Sequence, residues 1–193
     1  MRIIAGKYKQ KKLYDFNVDT TRPTGDKVRE ALFSVIRGVE DFVCLDLFAG
    51  TGAVGIEALS RGAKKCYFVE SNINIYKIIV KNFQTIKVPN ESVNLLRTDY
   101  MKALKGYKNK GIKFDFIFID PPYKTDYAEK AIDFILDNSL LNENGFICWE
   151  HDKSKLDKLD KYNVFKEKKY GITYLSFLNN YSNNFINMQN DKQ

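Results

Sequence analysis

The chain alternates between short, nearly continuous apolar runs and longer stretches in which apolar residues recur every three or four positions. Runs of the first kind predict buried strands, and stretches of the second kind predict amphipathic helices. The predicted strands lie at residues 43–48, 65–69, 93–97, 114–119 and 145–150. The predicted helices lie at residues 28–36, 54–60, 73–86, 100–105 and 128–136.

This alternation of strands and helices predicts an α/β protein with a mostly parallel sheet that carries helices on both faces. Residues 114–119 are almost wholly apolar, which is typical of a strand at the centre of such a sheet. Two last runs, at residues 162–169 and 173–178, flank Gly171 and predict a closing antiparallel hairpin, which brings the sheet to seven strands. We therefore expect a Rossmann-like architecture.

The two ends of the chain differ from this pattern. Residues 2–13 alternate apolar positions with lysines, which predicts a small basic hairpin with a turn near Gly6, and a second turn follows at residues 20–25. Residues 179–193 are rich in asparagine and have no periodicity, so we expect a disordered tail there. The predicted organisation is one domain, residues 1–178, in which residues 1–25 form the hairpin and turn.

Composition narrows the functional class only a little. The 193 residues include 31 Lys and Arg against 24 Asp and Glu, which gives a net charge of +7 and a pI of about 9.1. This charge fits a polyanionic partner, and it fits a merely lysine-rich composition equally well. Three separate cysteines without a metal-ligand spacing predict free thiols and no metal site, and the lack of a long apolar run predicts a cytoplasmic protein without a membrane anchor.

A glycine-rich segment follows the first predicted strand. Residues 50–55 read GTGAVG, which matches the G-x-G-x-x-G pattern found between a strand and a helix in nucleotide-binding folds. Asp46 precedes this segment, and Glu70 closes the next strand, where a carboxylate can bind two ribose hydroxyls. Asp99 ends the third strand, where it could accept a hydrogen bond from an adenine amino group or instead cap the following helix. These features suit NAD and S-adenosylmethionine equally well.

The segment FIFIDPPY at residues 116–123 is more informative about the reaction. Prolines fix φ and donate no backbone N–H, so the carbonyls of this loop are held rigidly. A glycine loop followed by Asp-Pro-Pro-Tyr resembles the amino-group methyltransferases, which use S-adenosylmethionine. The resemblance implies that the Asp120 carboxylate and the Pro121 carbonyl accept hydrogen bonds from the exocyclic amine of a base, and that Tyr123 stacks on that base. The predicted catalytic residues are Asp120, Pro121, Pro122 and Tyr123.

Further segments extend the resemblance. They are MRIIAG at residues 1–6, TRPTGDKVREALF at 21–33, LDLFAGTGAVGIEALSRGA at 45–63 and Glu150-His151. Together with Asp-Pro-Pro-Tyr they resemble the bacterial RsmD family of 16S ribosomal RNA guanine-N2 methyltransferases over about residues 1–178. The resemblance implies the fold of S-adenosylmethionine-dependent methyltransferases and transfer of a methyl group to N2 of one guanine in small-subunit ribosomal RNA. By position, the implied cofactor-binding residues are Asp46, Phe48, Ala49, Gly50, Gly52, Glu70, Asp99, Arg22 and Thr24.

The same resemblance implies ribosomal RNA as the partner, within an assembled or assembling small ribosomal subunit, and we expect a monomer. Phosphate contacts would position this RNA, while base contacts would specify the target. RNA contacts are predicted at Lys7, Lys9, Lys11, Lys12 and Arg29. A second basic run at residues 102–113 is interpreted as a solvated loop, and His151 as a structural residue.

Other functions stay open at this point. An adenine-N6 DNA or RNA methyltransferase can carry the same Asp-Pro-Pro-Tyr, although those enzymes usually have a separate target-recognition region. A protein-glutamine methyltransferase usually has Asn in place of Asp120. An NAD-dependent oxidoreductase would explain the glycine loop and Glu70 but would leave residues 120–123 without a role. A non-catalytic RNA-binding module would explain only the charge.

Overall fold

The computed structural model describes residues 1–15, 23–36 (the backbone alone for 23 and 24), 38–122 and 125–180. Within these residues, seven strands form one sheet in the order β3-β2-β1-β4-β5-β7-β6. The strands are β1 (Val43–Asp46), β2 (Lys65–Val69), β3 (Val93–Leu96), β4 (Phe114–Ile119), β5 (Leu141–His151), β6 (Val164–Tyr170) and β7 (Thr173–Asn179). Strands β1 to β5 run parallel, and β7 lies antiparallel between β5 and β6. The predicted mostly parallel sheet and its closing hairpin are confirmed.

Helices cover both faces of this sheet. The described helices are α1 (Pro23–Ile36), α2 (Ala53–Ser60), α3 (Ile73–Ile86), α4 (Tyr100–Asn109) and α5 (Tyr127–Asp137), with 3₁₀ helices at Asn90–Ser92 and Lys153–Lys161. One buried cluster packs Leu32, Ile56 and Ile79 of the first three helices against the sheet. A second cluster packs Leu104 and Ile132 of α4 and α5 against the opposite face. The two clusters make the three-layer arrangement typical of α/β domains.

The strand order reverses at the centre of the sheet. From β1 the chain proceeds outward to β2 and β3, and it then returns to place β4 on the other side of β1. In open α/β sheets, ligands bind beyond the carboxyl ends of the strands at such a reversal. The loops that follow β1, β2, β3 and β4 therefore define the edge at which a ligand site is expected.

Residues 1–14 form a hairpin that we call the N-terminal arm. Arg2 and Lys12 make an antiparallel bridge, and the N–H of Leu13 donates to the Met1 carbonyl at 3.0 Å. Ile3 is fully buried. Gly6 has a φ of 80°, and a Cβ at this position would fall 1.8 Å from the Ser60 carbonyl oxygen. The predicted basic hairpin is thus confirmed, and only glycine fits its turn against α2.

Several boundaries differ from the prediction. Helix α4 continues to Asn109, because Tyr100, Leu104 and Tyr107 bury one face while the lysines at 102, 105 and 108 lie on the other. The interpretation of this basic run as a loop was therefore wrong for residues 102–109. Strand β5 begins at Leu141, and the Lys153–Lys161 helix was not predicted. Residues 181–193 of the predicted tail lie outside the described residues.

The cysteines Cys44, Cys66 and Cys148 are free and buried, as predicted. Among the helices of the described segments, none is both long and apolar enough to cross a membrane.

Candidate cofactor and substrate site

The loop between β1 and α2 turns on two glycines in left-handed conformation. Gly50 has a φ of 53° and Gly52 a φ of 77°, values that residues with a Cβ rarely adopt. A Cβ added to Gly50 would meet no atom within 4 Å, so open space lies in front of this part of the loop. At Gly55 a Cβ would fall 2.3 Å from Cε1 of Phe68. The first glycine therefore offers bare backbone to a ligand, and the last lets α2 pack directly on β2.

Asp46 lies beneath this loop. Its side chain is 2% exposed, and its Oδ2 accepts a hydrogen bond from the N–H of Gly55 at 3.0 Å. Burial raises the pKa of Asp46 to about 8; the hydrogen bond from Gly55 lowers this pKa, and the carboxylates of Asp120 and Glu70 raise it further. Asp46 therefore fixes the start of α2 through its hydrogen bond to Gly55.

Glu70 and Asp99 lie at the same edge, after β2 and β3. The Oε2 of Glu70 accepts the N–H of Gly50 at 3.1 Å, and its Oε1 accepts the N–H of Asn72 at 2.7 Å. Asp99 is exposed, and its Oδ1 accepts the N–H groups two and three residues further on, at 2.9 and 3.1 Å. The capping alternative for Asp99 is therefore confirmed, while its contact with a cofactor stays a prediction.

The carboxylates at this edge share one electrostatic environment. The carboxylates of Glu70 and Asp120 both raise the pKa of Asp46, so two acidic side chains lie near a third one that burial keeps protonated. A cation bound in front of them would be stabilised, and an anion would be repelled. The sulfonium group of S-adenosylmethionine fits this field better than the pyrophosphate of a dinucleotide does.

The predicted catalytic loop begins directly after β4. Asp120 and Pro121 are half-buried, and Pro122 is exposed. Strand β4 pairs with β1 through Asp46 and Phe118, so Asp120 lies two residues beyond the position paired with Asp46. Tyr123, Arg22 and the side chain of Thr24, which were also predicted to belong to the site, lie outside the described residues.

Aromatic side chains lie between the loops of this edge. Phe48, Tyr100 and Tyr127 form a row in which successive ring centroids are 5.1 Å apart. Ala49 follows Phe48, is almost buried, and donates its N–H to the Val69 carbonyl at 2.9 Å. An open cleft of about 530 Å³ begins beside Tyr127; its lining residues are Thr125, Asp126, Tyr127, Ser154 and Lys155. A planar base could approach the catalytic loop along this aromatic side.

His151 is buried at the end of β5, where its ring makes hydrogen bonds and aromatic contacts. Its Nδ1 lies 2.8 Å from the carbonyl oxygen of Asp152 and therefore carries the proton, so Nε2 accepts from the Ser176 hydroxyl at 2.8 Å. Its ring stacks on Tyr174 and contacts Trp149. Burial lowers the pKa of His151 and keeps the ring neutral. These contacts support the interpretation of His151 as a structural residue.

The structure separates the five predicted RNA contacts. The lysines at 7, 9, 11 and 12 are exposed on the arm, although Nζ of Lys11 also donates to the Ile86 carbonyl at 2.9 Å. Arg29 is 4% exposed, and its Nη2 donates to the Arg2 carbonyl and to Asp26. A buried guanidinium with these partners is not presented to a phosphate, so the prediction that Arg29 contacts RNA is corrected.

Three polar residues that the sequence analysis did not single out connect the arm to the site. Glu57 is fully buried in α2 and accepts the N–H groups of Ile4 and Ala5 at 2.8 and 3.0 Å. Ser60 accepts the N–H of Tyr8 at 2.9 Å. Asn82, fully buried in α3, contacts both the arm and the glycine loop. Glu57 and Asn82 could have been found in the sequence, because each is a charged or amide residue on the apolar face of a predicted helix.

The chain matches known proteins along nearly its whole length. The model of the family described as Conserved hypothetical protein 95 matches residues 1–179. Ribosomal RNA small subunit methyltransferase D of Haemophilus influenzae is 38% identical over 174 residues, which are 89% of this chain and 90% of that protein. A structure described as a methyltransferase from Escherichia coli is 31% identical, with a TM-score of 0.77, and the match covers 92% of this chain and 96% of that one.

The fold also occurs in a more distant structure. The 16S rRNA N2-guanine methyltransferase RsmC of Thermus thermophilus, in complex with AdoMet and guanosine, is 21% identical with a TM-score of 0.69. The match covers 86% of this chain and 45% of that one. At this identity the likeness concerns the fold alone.

Proposed function

This chain belongs to the RsmD family, described as Conserved hypothetical protein 95, and from this premise we propose that it transfers a methyl group from S-adenosylmethionine to N2 of a guanine in small-subunit (16S) ribosomal RNA. The observation that carries the proposal is the juxtaposition of two loops. The glycine loop after β1 and Asp120-Pro121 after β4 lie side by side, because β1 and β4 are paired at the reversal of the sheet. Cofactor and base would meet between them.

The residues at this edge of the sheet would bind different parts of the cofactor. S-adenosylmethionine supplies an electrophilic methyl group when it is bound. The backbone at Gly50 and Gly52 would receive its methionine part, Glu70 its ribose, and the cap residue Asp99 its adenine. Asp46 holds the glycine loop from below through its hydrogen bond to Gly55.

The catalytic loop would act on the nucleophile. The exocyclic amine of guanine is a weak nucleophile, because its lone pair is delocalised into the ring. Hydrogen bonds from the two amino hydrogens to the Asp120 carboxylate and the Pro121 carbonyl favour a pyramidal nitrogen with a more available lone pair. The Asp120 charge also offsets the positive charge that develops on this nitrogen. The methylated nitrogen would then release one proton to solvent, and S-adenosylhomocysteine would be the second product. Holding the base in line with the methyl group contributes much of the remaining rate.

The partner and the setting follow from the same proposal. The curated relative from Haemophilus influenzae is a ribosomal RNA small subunit methyltransferase, and the exposed lysines of the arm supply positive charge for phosphates. A guanine that is paired in its target must be flipped out before Asp120 can reach it. We propose that the enzyme works as a monomer in the cytoplasm on an assembled or assembling small subunit.

The test is transfer of labelled methyl from S-adenosylmethionine to small ribosomal subunits that lack the modification, followed by nucleoside analysis. N2-methylguanosine is the expected product. N6-methyladenosine would overturn the proposed base, and absence of any labelled nucleoside would overturn the proposed substrate class.

The role of Asp120 has its own test. Asp120→Ala is expected to lower kcat by at least about 100-fold while RNA affinity stays within about twofold, because only the transition-state contact is lost. Asp157→Ala is the matched control, since this exposed carboxylate pairs with Lys158 and lies outside the proposed base contact. An equal loss of RNA binding and turnover in Asp120→Ala would contradict the assignment.

A further inference from the structure

Asn82 makes three hydrogen bonds, all to backbone atoms. Its Oδ1 accepts the N–H of Tyr14 at 2.7 Å. Its Nδ2 donates to the Tyr14 carbonyl at 3.2 Å and to the Thr51 carbonyl at 2.9 Å. The side chain is fully buried, so water does not replace any of these partners. One amide group of α3 therefore joins the end of the N-terminal arm to the centre of the glycine loop.

The chemistry of this position requires an amide. An Asn side chain offers one acceptor and two N–H donors, whereas a carboxylate offers no donor when it is ionised and an aliphatic side chain offers neither. The Tyr14 backbone uses the acceptor and one donor, which leaves the second donor for Thr51. Thr51 is buried as well, so leaving its carbonyl unpaired would cost more than this bond contributes when it is made.

The glycine loop depends on such restraints. Thr51 lies between Gly50 and Gly52, both of which have positive φ and a wide conformational range. Glu70 holds Gly50 by its N–H, and Asn82 holds Thr51 by its carbonyl. A loop fixed in its bound shape before the ligand arrives loses less entropy on binding.

The arm is also anchored to the helix that continues from this loop. Glu57 and Ser60 of α2 hold the arm at Ile4, Ala5 and Tyr8, so the arm touches α2 and α3 on either side of the loop. We propose that Asn82 is a positioning residue for the cofactor loop, and that the docked N-terminal arm is thereby a structural part of the S-adenosylmethionine site. This inference rests on the proposed function, because it takes the glycine loop to bind that cofactor.

The experiment measures S-adenosylhomocysteine binding by calorimetry at 15 °C without RNA. Asn82→Ala is expected to weaken binding about tenfold, since one loop restraint is lost and the buried Thr51 carbonyl is left unpaired. Gln84→Ala, which removes an exposed amide from the same helix, should bind as the wild type does. Ile135→Ala removes a buried side chain of α5 on the other face of the sheet, and it should lower stability without changing the affinity.

A second pair of variants tests the link from the side of the arm. Tyr14→Pro removes the N–H that donates to Asn82, whereas Tyr14→Ala removes only the ring, which Lys81 contacts. Tyr14→Pro should weaken S-adenosylhomocysteine binding several-fold, and Tyr14→Ala should not. This pair decides the question if Asn82→Ala fails to fold.

Kinetics give an independent readout. In Asn82→Ala the KM for S-adenosylmethionine should rise, while kcat at saturating cofactor should be largely retained, because only cofactor binding is weakened. A smaller folded fraction would instead lower kcat and leave KM unchanged. Wild-type affinity in both Asn82→Ala and Tyr14→Pro would overturn the inference and leave the proposed function standing. A wild-type protein that binds no S-adenosylhomocysteine would overturn the proposed function itself.

Discussion

A buried carboxylate makes the stability of this protein depend on pH. Burial raises the pKa of Asp46 to about 8, whereas an aspartate in an unfolded chain titrates near 4. Between these pH values the folded state holds a proton that the unfolded state has lost. The free energy of unfolding therefore falls as the pH rises from about 4 through 8, by at most about 1.4 kcal/mol per pH unit from this group.

Asp46→Asn should remove this dependence. The amide oxygen can still accept the hydrogen bond from Gly55, and the amide does not titrate. The variant should therefore lose little stability at pH 5, and its free energy of unfolding should rise relative to that of the wild type toward pH 8. Urea unfolding of both proteins at four pH values measures the difference. Titration of His151, whose pKa is lowered by burial, is common to both proteins and cancels in this comparison. Parallel curves for the two proteins would show that Asp46 does not titrate in this range.

A pair of glycines allows a second test at this scale. A Cβ at Gly55 would lie 2.3 Å from Cε1 of Phe68 and 2.7 Å from Sγ of Cys66, whereas a Cβ at Gly106 in α4 would meet nothing within 4 Å. Gly55→Ala should therefore destabilise the fold by about 1–3 kcal/mol through overpacking. Gly106→Ala should stabilise it by about 0.5–1 kcal/mol through helix propensity. Urea titrations of both variants check the opposite signs, and equal shifts would contradict the packing account.

At the scale of elements, the N-terminal arm and α4 form two basic surfaces, and three lysines can be replaced on each. Replacing Lys7, Lys9 and Lys12 by Gln should weaken RNA binding and reduce the salt dependence of log K by about two to three, one unit per lost phosphate contact. Lys11 is left in place because its ammonium also holds the Ile86 carbonyl. Binding measured at several salt concentrations gives the slope.

The matched control replaces the exposed α4 lysines at 102, 105 and 108 by Gln. This triple variant carries the same net charge as the arm variant, but α4 packs on the opposite face of the sheet from the arm. We expect its salt slope to stay close to that of the wild type. Equal losses in both variants would mean that only the net charge of the protein attracts RNA.

The elements also show what the sequence determines by itself. Strand β4 and helix α3 were predicted to the residue, because one is almost wholly apolar and the other has regular apolar spacing. The end of α4 was not predicted, because the lysines between its four buried positions obscure the apolar spacing in the sequence. That the candidate site lies at strand ends also followed from the pattern of parallel strands. Glu57 and Asn82 were missed, because their backbone partners are 31 to 68 residues away in the chain.

At the scale of the whole molecule, the basic surface beside the candidate site is short within the part of the chain that the structure describes. Specific nucleic-acid interfaces usually bury about 1,000–2,500 Å² of protein. Here the basic arm spans 14 residues and turns on Gly6, and Arg29 is withdrawn into an ion pair with Asp26. A short arm beside the cofactor edge can hold a phosphate backbone, but it offers few side chains for reading bases. The target is therefore expected to be selected by its shape, which assembled ribosomal proteins help to fix.

Recognition by shape predicts a preference for assembled particles. The kcat/KM for small subunits that lack the modification should exceed that for protein-free ribosomal RNA by at least about tenfold, because the folded particle has already met the entropy cost of ordering the target. S-adenosylhomocysteine affinity, measured without RNA, serves as the reference for active enzyme in both assays. Adding back subsets of ribosomal proteins to the RNA should restore the rate stepwise. If naked RNA and assembled subunits are methylated at equal rates, the arm and the edge loops recognise the sequence on their own.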